Sequence, residues 1–305
     1  MSARGKGLAV VTRYLRILSG GSQPILAEAS DGYIYVVKLG NNPQGPNLLF
    51  NESAGTEVYR ACGLSVPSWK PLLVSDSFID DNPRCWFCTG KGDRIRPERG
   101  LCFGSRYLGG DGRTLRQGLP GNYFKRVGNR NSFWLAWMVD TCAGHADNRQ
   151  AVFLEDAKRR LTAFFVDQGH LFGGPDGKEW RHFSAGCYLD ARIYGDLSSR
   201  QSLRMLRVAE ALDVDRLWRR VQQVTGDWKT PSGVARFEEF LGRISDSGFL
   251  RDLVDTMTDP CQIEMRQRER TPDVERKPAI LRFGIQAAQL GHRHIGGANC
   301  CIACP

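Results

Sequence analysis

Four side chains follow one another along the chain in an order that suits phosphoryl transfer: Lys38, Glu52, Asp147 and Asp167. That chemistry is mostly positioning and charge stabilisation, and its parts are few. A lysine neutralises nucleotide phosphates and an acidic partner holds the lysine. An aspartate faces the acceptor hydroxyl, and oxygen ligands take up Mg2+. Lys38 ends the β-prone run Tyr33-Ile-Tyr-Val-Val37, and Glu52 falls on the helical pattern that comes next. Asp147 lies in the polar cluster Gly144-His-Ala-Asp-Asn-Arg-Gln150, and Asp167 follows the apolar run Leu161–Val166. Asp167 and the Gln150 amide match the preference of Mg2+ for hard oxygen ligands. Gly20-Gly21-Ser22 precedes Lys38 and offers backbone amides that suit phosphate oxygens. Taken singly, each feature has a plainer reading. Lys38 suits a solvated strand end, the glycines suit any hairpin, and Asp147-Asn148 and Asp167-Gln168-Gly169 suit ordinary turns. The two aspartates are twenty residues apart with one short hairpin between them, and this order favours the chemical reading.

These residues resemble the HipA-like kinase family, specifically its small bacterial members that carry a kinase domain without the full-length toxin's extra N-terminal region. The resemblance covers residues 12–175. Gly20-Gly21-Ser22-Gln-Pro24 and Tyr33–Lys38 look like the nucleotide-loop hairpin and its lysine. Leu49-Phe-Asn-Glu52 through Ala61-Cys-Gly-Leu-Ser-Val-Pro67 looks like the helix bearing the lysine's partner. His145-Ala-Asp147-Asn-Arg-Gln150 resembles the catalytic loop, and Phe165-Val-Asp167-Gln-Gly-His170 the metal-binding motif. The resemblance implies an α+β, two-lobed protein-kinase-like fold with a small antiparallel β lobe carrying one helix and a larger, mainly α lobe. It implies ATP and Mg2+ as cofactors. Gly20, Gly21, Ser22, Lys38 and Glu52 would bind ATP, Asp147 would orient or deprotonate the acceptor hydroxyl of a protein Ser or Thr, and Asp167 would hold the metal; Gln150 as a second ligand rests on the oxygen preference of Mg2+ alone. One departure stands out. Related loops supply an asparagine about five residues after the catalytic aspartate, whereas position 152 is Val. A nucleotide-binding pseudokinase or interaction module is therefore the alternative.

Local patterns predict the elements that must position these groups. Strands are expected at Tyr14–Leu18, Pro24–Ala29 and Tyr33–Lys38, with Asp31-Gly32 forming a type I′ turn. A helix follows over Leu48–Ala61, with Gly63 as its C′ cap. Residues 65–130 hold apolar pieces at Trp69–Val74 and Leu101–Leu108 without a clear pattern. Ser132–Val139 reads as a buried helix with Ser132 near its N-cap, and Ala151–Leu154 and Leu161–Val166 as strands. Helical periodicity then runs over Ser199–Leu212, Val214–Val224, Gly233–Ile244 and Phe249–Met257. The expected division is a nucleotide-binding lobe over 1–130, a catalytic lobe over 131–291 and a Cys/His-rich tail over 292–305.

A chain of 305 residues with 41% hydrophobic and 25% charged residues matches a globular protein and excludes a fibrous or wholly disordered one. No run approaches the ~18–20 apolar residues of a membrane span, so the expectation is a soluble, cytoplasmic protein without a membrane partner. Ten cysteines are too dilute for a disulfide-stapled secreted domain. Cys62, Cys102, Cys142 and Cys187 read as small core residues. Cys85–Cys88 and Cys301–Cys304 have metal-ligand spacing, which raises a third reading, a zinc-containing nucleic-acid binder. The net charge of +9 asks for some anionic partner. Basic stretches such as Arg94–Arg99 and Arg216–Arg220 mix with acids or lie on an amphipathic helix, so nucleic acid is not the expected partner and ATP is. Neither the protein or small-molecule hydroxyl acceptor nor the oligomeric state is legible.

Overall fold

The computed structural model describes residues 8–110, 113–177 and 186–257. The Cys/His-rich tail, with Cys301 and Cys304, lies outside the described residues. The chain opens on three antiparallel strands, β1 (Ala9–Ile17), β2 (Ile25–Ala29) and β3 (Ile34–Gly40). The turn between β2 and β3 is not the expected type I′. Glu28 pairs with Ile34, and of the turn's central residues only Gly32 has positive φ, at 80°. This is the geometry of a longer hairpin loop whose left-handed position falls on glycine.

The ambiguous stretch contributes β4 (Trp69–Val74), the short helix α2 (Asp76–Asp81), a two-stranded ribbon of β5 (Phe87–Cys88) and β6 (Arg94–Ile95), and the long β7 (Glu98–Arg106). The order β1-β2-β3-β7-β4 closes into a barrel. Closure uses a parallel pair, Ala9 with Leu72 and Val10 with Leu73, so the small β unit is not wholly antiparallel as expected. It also carries α2 besides the expected helix. Parallel pairing needs a crossover, and the segment between β3 and β4 supplies it as the helix α1 (Leu48–Ala61). The barrel is filled by Val11, Ile25, Val37, Leu72, Val74 and Phe87 among others.

A second, larger apolar cluster gathers around α3 (Ser132–Cys142) and the sheet of β8 (Thr114–Arg116), β9 (Gln150–Glu155) and β10 (Leu161–Val166). Phe133 packs edge-on to Phe165 with ring centroids 5.0 Å apart. The N-cap of α3 is Asn131, so Ser132 is the first helical residue. The helices α4 (Ser199–Glu210), α5 (Val214–Thr225), α6 (Pro231–Ser245) and α7 (Ser247–Thr256) complete the cluster. Their starts are set locally: Ser198 forms a capping box with Gln201, and Thr230 accepts from the Gly233 amide at 2.9 Å. Among the described residues no helix is long and apolar enough to cross a membrane.

Helix α1 is buried from Leu48 to Tyr59 and sends Phe50, Ala54, Val58 and Tyr59 into the larger cluster. Its end is a Schellman motif, with Leu64 N–H bonding the Tyr59 carbonyl at 2.9 Å, Gly63 N–H the Arg60 carbonyl at 3.0 Å, and Gly63 at φ 73°. Within α1 a side chain at Gly55 would come within 2.5 Å of Leu171 Cδ1 and 2.8 Å of Gln168 Cβ. Gly55→Ala gains about 1 kcal/mol of helix propensity, but overpacking costs about 1–3 kcal/mol. We expect a net loss of stability, read as a lower urea midpoint at unchanged slope; a stabilised variant would show that the 168–171 segment yields freely.

Candidate functional site

Lys38 is the next-to-last buried step of β3 before Gly40, and its residue is 6% exposed. Its Nζ donates to Glu52 on α1 and to Asp167 at the end of β10. Glu52 also accepts the Gly169 amide at 2.7 Å through the same Oε1. Asp167 Oδ2 accepts from Gln150 Nε2 at 2.8 Å. The sequence-predicted residues Lys38, Glu52, Gln150 and Asp167 therefore form one hydrogen-bonded group, although up to 129 residues separate them along the chain. Burial works against the Lys38 cation, but the Asp167 and Glu52 carboxylates outweigh it and raise its pKa. Burial would raise Asp167 too, and there the Lys38 charge prevails and holds the carboxyl well below its usual range. Glu52 lies deeper and faces Asp167, so burial keeps its pKa above the ordinary value despite Lys38.

The local backbone explains how Asp167 reaches this position. Asp167 adopts φ 62° and ψ 63°, a left-handed conformation that aspartate tolerates better than most residues, and a 3₁₀ turn over Gln168–His170 follows. Asn51, next to Glu52 on α1, clamps that turn: its Nδ2 lies 2.8–3.0 Å from the carbonyls of Gly169, Leu171 and Gly174. Side chains from α1 thus hold both the lysine and the segment that follows Asp167.

Asp147 occupies a different setting, with its side chain 47% exposed. Its Oδ1 accepts the Asn148 amide at 2.7 Å, and its carbonyl accepts the Gly186 amide at 2.8 Å. The His145 ring sits inside the loop, with Nδ1 2.6 Å from the Asp147 carbonyl and 3.1 Å from its amide nitrogen. Burial, with the nearby Arg149 and His170 charges, pushes the His145 pKa well below its ordinary value, so that ring is neutral. The Asp147 and Asp167 loops meet where the Ala146 amide bonds the His170 carbonyl at 2.8 Å and where His170 Nε2 stands 3.9 Å from Asp147 Oδ2.

The Gly20-Gly21-Ser22 turn makes no hydrogen bond to Lys38 among the described residues. The register Ile25 with Val37 sets it beside the Lys38 end of β3. The Ser22 carbonyl accepts from Asn42 Nδ2 at 2.8 Å, and any side chain at Gly21 would run into the Gln44 amide. A second buried group escaped the sequence reasoning. Arg149 is fully buried and makes a two-pronged bond to Asp140, both contacts at 2.7 Å. It also donates to the Val166 carbonyl at 3.0 Å and Gln168 Oε1 at 2.7 Å, beneath the Tyr59 ring whose hydroxyl donates to Asp140 at 2.6 Å. One signal was available: Asp140 follows the apolar run Phe133–Val139 directly, and a carboxylate so placed needs a cation.

Among the described residues no group of three or more His, Cys, Asp or Glu side chains converges on a metal position. The Cys85–Cys88 pair does not form one: Cys85 is buried and Cys88 exposed. Cys62, Cys102, Cys142 and Cys187 are buried, as expected of core thiols. Asp167 offers one carboxylate; the Gln150 amide faces it through Nε2 and would add its neutral oxygen only after turning over. That set fits Mg2+, which keeps waters and takes phosphate oxygens, and does not fit an all-protein cage. Val152 lies within β9 opposite Phe164 and supplies no ligand.

No family model matches the chain, and no curated protein matches it. Among solved structures the chain is similar to the Golgi casein kinase with Mn/ADP bound, at 10% identity over 81% of this chain and 73% of that one, with a TM-score of 0.48. A further structure of the Golgi casein kinase matches at 10% identity over 82% and 72%, again with a TM-score of 0.48.

Lys38→Met leaves Glu52 and Asp167 facing one another without a cation, so the folded state raises both carboxyls. A raised carboxyl stabilises the fold fully below its unfolded pKa of about 4, and that contribution is lost as pH climbs toward the folded value. The variant is expected to lose about 3–5 kcal/mol at neutral pH and to recover part of it as pH falls from 8 to 5. Thermal unfolding against pH measures this. A wild-type-to-variant difference that stays constant over that range would contradict the ion triad. Arg149→Met, which strands Asp140, should lose a similar about 3–5 kcal/mol, and stability unchanged in urea titration would remove Arg149 from its organising role.

Proposed function

We propose that the chain is an ATP- and Mg2+-dependent phosphotransferase of two-lobed, protein-kinase-like architecture, related to the HipA-like kinases, that phosphorylates Ser or Thr hydroxyls of a protein. The observation that carries this reading is the buried Lys38 held by Glu52 and Asp167, with a half-exposed aspartate, Asp147, on the adjoining loop. The lobes divide near residue 130, and the site works in the cytoplasm.

Lys38 neutralises phosphate oxygens, and Glu52 keeps its ammonium aimed at them. The Gly20-Gly21-Ser22 turn covers the same end of β3 with backbone amides. Asp167, with the Gln150 amide oxygen once turned toward it, would hold Mg2+, and that ion would supply neutralisation of charge on the transferred group. Asp147 orients the acceptor hydroxyl and takes its proton. Its exposure serves this role, because a macromolecular acceptor must reach it. The partition of pKa values agrees: Asp167 stays ionised as a metal ligand should, and the neutral His145 braces the Asp147 backbone without competing for its charge.

A second reading, a pseudokinase that binds nucleotide without turnover, is favoured by Val152 alone, since no asparagine follows Asp147 at the related position. Phosphate release and autophosphorylation with Mg-ATP separate the readings. Wild type should turn over, and Asp147→Asn and Asp167→Asn should each fall by at least ~100-fold. Equal activity in all three would refute the assignment. ATP raising the melting temperature without phosphate release would select the pseudokinase.

A further inference from the structure

The phosphotransfer reading absorbs few of the nine surplus positive charges. At the far end of the β9–β10 hairpin, three arginines converge on one carboxylate. Arg116 from β8 lies 2.6 Å from Glu155, Arg159 from the hairpin turn 2.9 Å, and Arg126 from the preceding 3₁₀ turn 3.2 Å. The Glu155 side chain is 3% exposed, whereas those of Arg116, Arg126 and Arg159 are 36%, 33% and 69% exposed. One carboxylate needs one such partner. A guanidinium carries five N–H donors, and here most of them have no protein acceptor among the described residues. Arg126 uses NH2 for Glu155 and the Arg159 carbonyl, Arg116 uses Nε and NH2, and Arg159 uses Nε.

The backbone points the same way. Arg159 sits at φ 63°, a position in the hairpin turn that glycine fills at less conformational cost. An arginine kept there in a strained conformation aims its side chain at the cluster. Arg116 stands on β8, the edge strand of the order β10-β9-β8, so among the described residues no strand of that sheet lies along its outer side. An open edge accepts an extended peptide through backbone hydrogen bonds. The nearby Tyr123 ring is covered by Arg126 at 4.6 Å, which leaves it unsuited to base stacking. The charge is also concentrated on one point instead of spread along a polyanion's repeat.

We infer that this cluster is a second binding site, for a phosphorylated side chain on an extended peptide lying along β8. The surplus guanidinium donors match the three oxygens of a phosphoryl group. The site lies five strand residues from Gln150, about 17 Å along β9, so it is separate from the Lys38 site and its occupancy does not require turnover.

The test uses fluorescence anisotropy of the full chain with a labelled peptide carrying one phosphoserine in an Ala/Gly context, the same peptide with plain Ser, and a single-stranded oligonucleotide. Only the phosphopeptide should bind, and millimolar inorganic phosphate should displace it. Arg159→Gly, which relieves the turn and should fold at least as well, should weaken binding by at least tenfold. Glu155→Gln, which removes the competing carboxylate, should tighten it. Equal binding of phosphorylated and plain peptide, affinity unchanged in Arg159→Gly, or tighter binding of the oligonucleotide would each overturn the site.

Discussion

An ammonium group buried at 6% exposure between two carboxylates is the constraint from which the organisation of this protein follows. Removing a lysine from water is costly unless opposite charge meets it directly. Lys38 is met from two sides, by Glu52 from α1 and by Asp167 from the end of β10. Neither carboxylate is near it in sequence. The barrel strand, the crossover helix and the second sheet must therefore approach one another closely, and the rest of the architecture accommodates that approach. Gly55 thins α1 where the 168–171 segment crosses it, and Asn51 ties down the carbonyls of that segment. Asp167 accepts a left-handed backbone to complete the triad.

The Arg149–Asp140–Tyr59 group plays the complementary part inside the larger apolar cluster. It joins α1, α3 and both loops of the candidate site through two-pronged and backbone contacts. Its members are fully buried, so removing one partner leaves an uncompensated charge. Arg149 lies between Asp147 and Gln150 in sequence and reaches the Val166 carbonyl just before Asp167. Arg149 thus braces the backbone that leads into Asp167, while Lys38 pairs with the Asp167 carboxylate. The two aspartates differ in exposure, 47% for the Asp147 side chain and 19% for that of Asp167, which is the contrast the proposed division of roles rests on.

Local signals carried much of this. The alternation in β2 and β3, the apolar pairs that became β9 and β10, the Gly63 cap and the four C-terminal helices were readable because each depends on neighbours a few residues away. Lys38, Glu52, Gln150 and Asp167 were recognisable from type and order, and the fold brings them together. The type of the 30–32 turn was misread because Asp-Gly suits two hairpin geometries, and strand register selects between them. Barrel closure through a parallel β1–β4 pair, and the strand status of Trp69–Val74 and Glu98–Arg106, depend on pairing between residues far apart along the chain, from Val74 with Gly100 to Tyr35 with Arg106. No local pattern encodes that.

The sequence by itself determined which residues can do chemistry here and the order in which they arrive, because residue type and local periodicity are properties of short stretches. Only the tertiary structure decided which charges are buried together. It paired Asp140 with Arg149, made Lys38 shared rather than singly held, and gathered three arginines around Glu155. Burial and charge pairing are set by what the fold brings from a distance, and a cation's environment is defined by the packed chain around it.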